Sequence, residues 1–380
     1  MEKMENIKNI VPSFDLKSIT QLNNTYKSYM IITFTSIIAF LMLCYIYYTH
    51  ILKTRETTYI NTLYPSVDGN IRAISSRDPD CSGNLYDYYI KTAYNACSGG
   101  SYKNDYVSID VLKAILKQGV RCLDFEIYSI ENQPVVASST DTDYYIKETY
   151  NSVPFADVMK IISNYAFASG TCPNPTDPIL IHLRIKSNNN KMYTNLAKIF
   201  KLYDSIMLDK KYSFENSGNN LGKQPLLSFQ NKVILIVDKM NNAFLENQDF
   251  LEYVNITSNS MFMRCYNYYN IKNNPDIDEL TEYNKGSMTI VLPDNGANPD
   301  NPSGFLSRAL GCQCVAMRYQ YVDNNLMENT LFFDTNTYAF CLKPPELRLQ
   351  KVTIPYPTKQ KPEYSFATRN MKTDYYNFNY

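Results

Sequence analysis

Asp124 and Glu126 stand two positions apart in the stretch 119–128, GVRCLDFEIY. On a β-strand, alternate residues share a face, so the two carboxylates point the same way. Val120, Cys122, Leu123, Phe125 and Ile127 make the rest of the stretch apolar. Two acids projecting together from an apolar strand are costly unless a cation, a hydrogen-bond network or a reaction engages them. Imidazole chemistry is nearly excluded, because the chain holds only two histidines, His50 and His182. Tyrosine and serine titrate too high for efficient proton transfer near neutrality unless strongly shifted. The nine cysteines form no CxxC pair, and with so few histidines they do not read as a structural zinc site. Cys81, Cys97 and Cys172 lie in loop-like sequence and could form disulfides in an oxidising compartment, with no pairing legible.

These residues need a frame to hold them. Helix-like 108–118 leads into the acidic strand, and Gly119 ends the helix. Strand patterns occur at 88–92, 121–128, 134–138, 179–185, 233–237, 261–264, 288–292 and 314–320, with helical patterns at 109–117, 155–168, 192–209, 277–283 and 303–310. Eight strands with helices between them predict an α/β fold, a closed TIM-type (β/α)8 barrel whose acids sit at the C-terminal mouth. Acids and bases balance at 37 each, so no basic face for nucleic acid is implied. Residues 29–48 carry no charge and are flanked by tyrosines, which predicts one transmembrane helix. Lys17 and Lys27 on one side balance Lys53 and Arg55 on the other, so orientation is unspecified. The expected domains are a tail at 1–28, the span at 29–48, a linker at 49–84, the barrel at 85–350 and a C-terminal tail at 351–380. Abundant tyrosine and asparagine without tryptophan fit an AT-rich coding genome, such as that of a large DNA virus of a eukaryotic host, with a single-pass viral or host endomembrane location.

With the strands placed, the order of motifs resembles the X and Y halves of a eukaryotic phosphoinositide-specific phospholipase C barrel. The stretch 119–126, GVRCLDFE, is similar to that family's G-C-R-C-x-E-x-D strand, and 178–184, PILIHLR, to P-V-I-L-S-L-E. The stretch 230–236, QNKVILI, resembles L-x-G-K-I-L-V. Farther on, 311–320, GCQCVAMRYQ, resembles G-C-Q-x-V-A-L-N-F-Q, and 340–348, FCLKPPELR, resembles Y-V-L-K-P-x-x-L-R. The X half would span about 85–239 and the Y half about 286–350.

The resemblance implies cleavage of phosphatidylinositol by internal attack of the inositol 2-hydroxyl, using two histidines and a calcium ion. Tyr94 stands where the first histidine belongs and Ser138 where the second does. Asn95, Asp124 and Glu126 match three calcium ligands, with the two acids exchanged. The fourth ligand is replaced by Arg184, whose guanidinium would face the acids and stand in for the metal. Lys239 matches one basic contact to inositol phosphates, while 289–293, TIVLP, lacks the family's phosphate-binding arginine and ring-stacking tyrosine. The expectation is a membrane-anchored, catalytically inactive phospholipase-C-like protein without calcium, acting through phosphoinositide headgroups, other membrane lipids or a protein partner. The alternative is a calcium-independent phosphodiesterase with Glu126 as base, Tyr94 as acid and Arg184 as phosphate clamp; a purely structural barrel is the third reading. His182 shares the face of Arg184 and could approach the mouth, but is read as a partly satisfied barrel residue rather than a catalyst.

Overall fold

The computed structural model describes residues 24–141, 143, 145–350, 355–361 and 364–380. The expected tail at 1–28 therefore lies mostly outside the described residues, as do 351–354 of the C-terminal tail. Two compact units divide the chain at Arg348 and Leu349.

The first unit opens with one unbroken helix, α1, Asn24–Leu63. At 1.5 Å per residue it is roughly 60 Å long. From Tyr26 to Tyr48 it is exposed, and the helix is long and apolar enough to cross a membrane. The linker expected from residue 49 is instead helical to Leu63. The reason lies in spacing: Leu52, Glu56 and Ile60 recur every four residues and are buried on one face, which packs on helix α2, Ile109–Lys117.

Eight parallel strands make the barrel: β1 Tyr88–Ala93, β2 Cys122–Ile130, β5 Ile179–Ile185, β6 Val233–Asp238, β7 Ile256–Ser258, β8 Met263–Asn267, β9 Met288–Leu292 and β10 Cys314–Met317. Their order is β7-β6-β5-β2-β1-β10-β9-β8, so the ring is closed except between β7 and β8, which do not pair. The barrel expectation holds, but its roster of strands changes. The strand expected at 134–138 is β3, Gln133–Ala137, which folds back antiparallel on β2 and belongs to a hairpin outside the ring. Its place in the count is taken by the three-residue β7, too short to carry a pattern. Two short strands add to the edges: β4, Val153–Pro154, on β3, and β11, Phe340–Leu342, antiparallel to β1.

Helices α2, α3 Phe155–Ile161, α4 Asn190–Leu202, α5 Ile277–Gly286, α6 Gly304–Ala309 and α7 Asn324–Asn336 cover the outside. Ser108 caps α2 by accepting from the Asp110 amide. Gly119 then takes φ +71°, and a Cβ there would lie 2.9 Å from Ile71, so the turn into β2 requires glycine. Both faces of the central strands are covered, which is why β2, β5 and β6 are buried almost end to end. On β2, Leu123, Phe125 and Ile127 face the helical layer, and Cys122 joins Leu180, Ile234, Ile290 and Cys314 in an apolar layer inside the barrel. Asp124 and Glu126 continue that inward face toward the mouth. All nine cysteines are free thiols, so no disulfide braces Cys81, Cys97 or Cys172.

The second unit, Leu349–Tyr380, contains a hairpin of β12, Asn370–Lys372, with β13, Asn377–Asn379.

Candidate functional site

The parallel register of β2 and β5 sets Asp124 beside His182 and Glu126 beside Arg184. Asn95, at the end of β1, adopts a left-handed φ of 42° and brings its side chain to the same place. A buried, fully hydrogen-bonded cluster results. Arg184 donates from Nε to Asp124 Oδ1 at 2.9 Å and from NH2 to Asp124 Oδ2 at 2.7 Å. Its NH1 reaches Glu126 Oε1 at 2.8 Å, and NH2 also reaches Asn95 Oδ1 at 3.0 Å. Below the guanidinium, His182 Nδ1 lies 2.7 Å from Asp124 Oδ1, and its Nε2 lies 2.9 Å from Ser258 Oγ. Above it, Tyr128 donates to Glu126 Oε2 at 2.7 Å, and the Ser139 amide donates to the same oxygen at 2.9 Å.

Burial raises the cost of ionising Asp124, but Arg184 and His182 outweigh it and hold the carboxyl well below its usual range. Burial likewise opposes the charge on Arg184, and the carboxylates of Asp124 and Glu126 more than restore it. The guanidinium is thus a fixed cation neutralising the acidic wall.

Tyr94 lies beside this cluster with its ring 4.7 Å from the Arg184 guanidinium carbon. Burial drives its hydroxyl far above the ordinary tyrosine value, even against the pull of Arg184. Its ring meets Tyr102 edge-on at 5.3 Å, and Arg318 covers Tyr102 at 4.9 Å while donating to its hydroxyl at 3.0 Å. An Arg–Tyr–Tyr–Arg column therefore runs from Arg184 on β5 to Arg318 just past the end of β10. Ser138 is fully buried at the end of β3, sharing a 2.8 Å hydrogen bond with Ser98. Lys239 follows β6 and turns away from the acids: its Nζ pairs with Glu215 at 2.7 Å. The structure thus gathers Tyr94, Asn95, Asp124, Glu126 and Arg184, and leaves Lys239 apart.

Sequence reasoning missed Tyr128, Ser139, Tyr102, Arg318 and Glu215. Tyr128 could have been found, since it continues the 124, 126 alternation on the same strand. Arg318 likewise continues the 314, 316 alternation just past β10, whereas Ser139, Tyr102 and Glu215 come from segments between strands whose approach no periodicity records.

Beside the cluster, a cavity of about 140 Å3 opens among Asp143, Tyr145, Arg184, Lys186, Asp238 and Met240. Burial lowers the Lys186 pKa, and Arg184 lowers it further.

The parallel barrel thus brings two acids on one inner strand against a basic partner on the next. Residues 81–239 match the family model of the phosphatidylinositol-specific phospholipase C, X domain. It is 29% identical over 106 residues to the 1-phosphatidylinositol 4,5-bisphosphate phosphodiesterase 1 of Saccharomyces cerevisiae, a match covering 28% of this chain and 11% of that protein. Among solved structures it is similar to S. officinalis PLC21, with a TM-score of 0.58 and 16% identity over 71% of this chain and 38% of that one. L. pealei PLC21 gives a TM-score of 0.56 at 16% identity with the same coverage. The chain thus spans well under half the length of each relative.

The calcium ion implied by the resemblance does not fit the donor set as arranged. Calcium takes six to eight oxygens. Every oxygen that Asn95, Asp124 and Glu126 could offer already accepts from Arg184, His182, Tyr128, Ser139 or a neighbouring amide. Among the described residues no group of three His, Cys, Asp or Glu side chains could hold a metal. A divalent ion about 4 Å from the guanidinium would meet repulsion of roughly 8 kcal/mol at an effective dielectric of about 20.

Proposed function

We propose that the chain is a membrane-anchored phospholipase-C-like protein that does not hydrolyse phosphoinositides and acts by binding phosphoinositide-bearing membrane surfaces. The single observation that carries this reading is Arg184, buried and committed through four hydrogen bonds to Asp124, Glu126 and Asn95. A guanidinium spent on internal partners is not available to clamp a phosphate. The positions matching the two family histidines support the same reading. Tyr94 is buried with its hydroxyl hard to ionise, and Ser138 is sealed against Ser98. His182 has both nitrogens engaged and no exposure. These features count against the active alternative with Glu126 as base and Tyr94 as acid. Helix α1 supports the anchoring half of the proposal.

The test uses the full chain in lipid nanodiscs. Release of inositol phosphate from phosphatidylinositol and phosphatidylinositol 4,5-bisphosphate is measured with calcium and with chelator, alongside sedimentation with vesicles of either lipid. No turnover in either condition, together with lipid-dependent sedimentation, is expected. Turnover that disappears in Glu126→Gln would overturn the proposal.

A further inference from the structure

The seam between β7 and β8 holds a second polar site. A cavity of about 200 Å3 runs along it, lined by Glu215, Asn219, Lys239, Thr257 and Ser260 among others. One oxygen of Glu215, Oε2, accepts from Lys239 Nζ at 2.7 Å and from Thr257 Oγ1 at 2.7 Å. An ammonium and a hydroxyl converging on one anionic oxygen form an anion cradle, and the carboxylate in it comes from the chain itself. Both charged side chains remain about a quarter exposed, so the cradle is open to solvent.

The backbone presenting that carboxylate is unusual. Phe214, Glu215, Asn216 and Ser217 have φ values of 54°, 54°, 52° and 53°, and Gly218 follows at 74°. Four consecutive non-glycine residues in a left-handed turn are each disfavoured by contact of Cβ with the following carbonyl. Such strain persists where surrounding contacts impose it. Here those contacts are the Glu215 pair, its amide bond to Val254 O and the Asn216–Asn219 contacts. The turn also leaves the apolar ring of Phe214 nearly half exposed.

We propose that Glu215 is a resident stand-in for an external phosphomonoester at the Lys239–Thr257 cradle. An incoming phosphate displaces the carboxylate, and the strained turn at 214–217 then relaxes. A phosphomonoester has the advantage over a carboxylate because it brings more negative charge and three acceptor oxygens to the Lys239 ammonium and the Thr257 hydroxyl. Displacement releases backbone strain, which offsets the loss of the Glu215 pair. The inference rests on the proposed phosphoinositide binding, but it assigns a specific gate to that binding. The phosphate could belong to a lipid headgroup or to a free inositol phosphate.

The experiment measures binding of myo-inositol 1,4,5-trisphosphate by calorimetry, and of vesicles with and without phosphatidylinositol 4,5-bisphosphate by sedimentation, to the full chain in detergent or nanodiscs. Glu215→Gln keeps a similar shape, removes the competing charge, and is expected to tighten binding about tenfold. Ser217→Gly, which suits a left-handed φ, holds the gate shut and is expected to weaken binding about fivefold. Adding Lys239→Met to Glu215→Gln should abolish the gain. Hydrogen exchange at 214–218 in the wild-type chain should rise when the trisphosphate is added. Vesicle binding without trisphosphate binding assigns the site to the lipid, and both together to either source. Wild-type binding that Glu215→Gln and Ser217→Gly leave unchanged overturns the gate alone. No binding by wild type or variants, with the fold verified by circular dichroism, overturns the gate and the binding function together.

Discussion

Replacing Arg184 by methionine removes the counter-ion and leaves Asp124 and Glu126 facing each other inside the barrel. Both carboxylates are almost wholly buried, and each loses a bond shorter than 3 Å. Removing one partner of a buried pair costs about 3–5 kcal/mol because the other charge is left uncompensated. For a barrel of this size that corresponds to a fall in Tm of roughly 10 °C. Arg184→Glu is the sharper variant. It deletes the cation and adds an oxygen donor, so the acidic wall gains a reason to take up calcium. In calorimetry on the full chain in detergent, the wild-type Tm is expected to stay unchanged on adding millimolar calcium. Arg184→Glu is expected to begin lower and to recover, by about 2.7 kcal/mol when calcium reaches about a hundred times its Kd. A wild-type Tm that climbs with calcium would refute the reasoning, as would an Arg184→Met variant as stable as the parent.

Other expectations concern residues outside the cluster. Lys343 is buried with its amine on Asn284 O, and burial lowers its pKa to about 7, against the milder opposing pull of Cys312 and Asp87. Its unfolded form binds a proton that the folded form does not between about pH 7 and pH 10.5. This group therefore makes stability rise with pH by up to about 1.4 kcal/mol per unit across that window, and its cost is fully present below it. Lys343→Met should flatten that slope in denaturant titrations at several pH values; an unchanged slope counts against the assignment. Truncation before Thr49 should leave the barrel's denaturation midpoint intact, whereas truncation before Tyr64 removes buried Leu52 and Ile60 and should cost roughly 3–6 kcal/mol. Asn216→Gly should stabilise the fold by up to about 1 kcal/mol in the same assay, because residue 216 sits at φ 52°.

The alternation of Asp124 and Glu126 made the inward acidic face readable from sequence, because a strand's period is two and nothing overrides it here. Arg184 was legible only through a motif, since register between β2 and β5 depends on strands far apart in the chain. The hairpin strand at 133–137 was miscounted as a barrel stave because a short apolar run looks the same whether it returns antiparallel or continues the ring. The three residues of β7 carry no pattern at all. In α1, an apolar span hid the stave that continues it, although Leu52, Glu56 and Ile60 hold the helical period. Lys239 was placed by position along the chain, and its side chain is directed by Glu215, whose left-handed turn of Phe, Glu, Asn and Ser lacks the glycines that would announce it.

The missing rungs between β7 and β8 turn the barrel into a scroll with two margins rather than a hoop. In strand order that opening lies diametrically across from β1 and β2, the wall bearing Asn95, Asp124 and Glu126. One side of the cylinder is cross-braced by ions and continuous ladders, while the other can slide without breaking a single backbone bond between its margins. Amides of 256–258 and 263–267 should consequently surrender their protons to heavy water well before those of β2 and β5. The molecule is stiff where its charges are locked and pliant on the opposite flank.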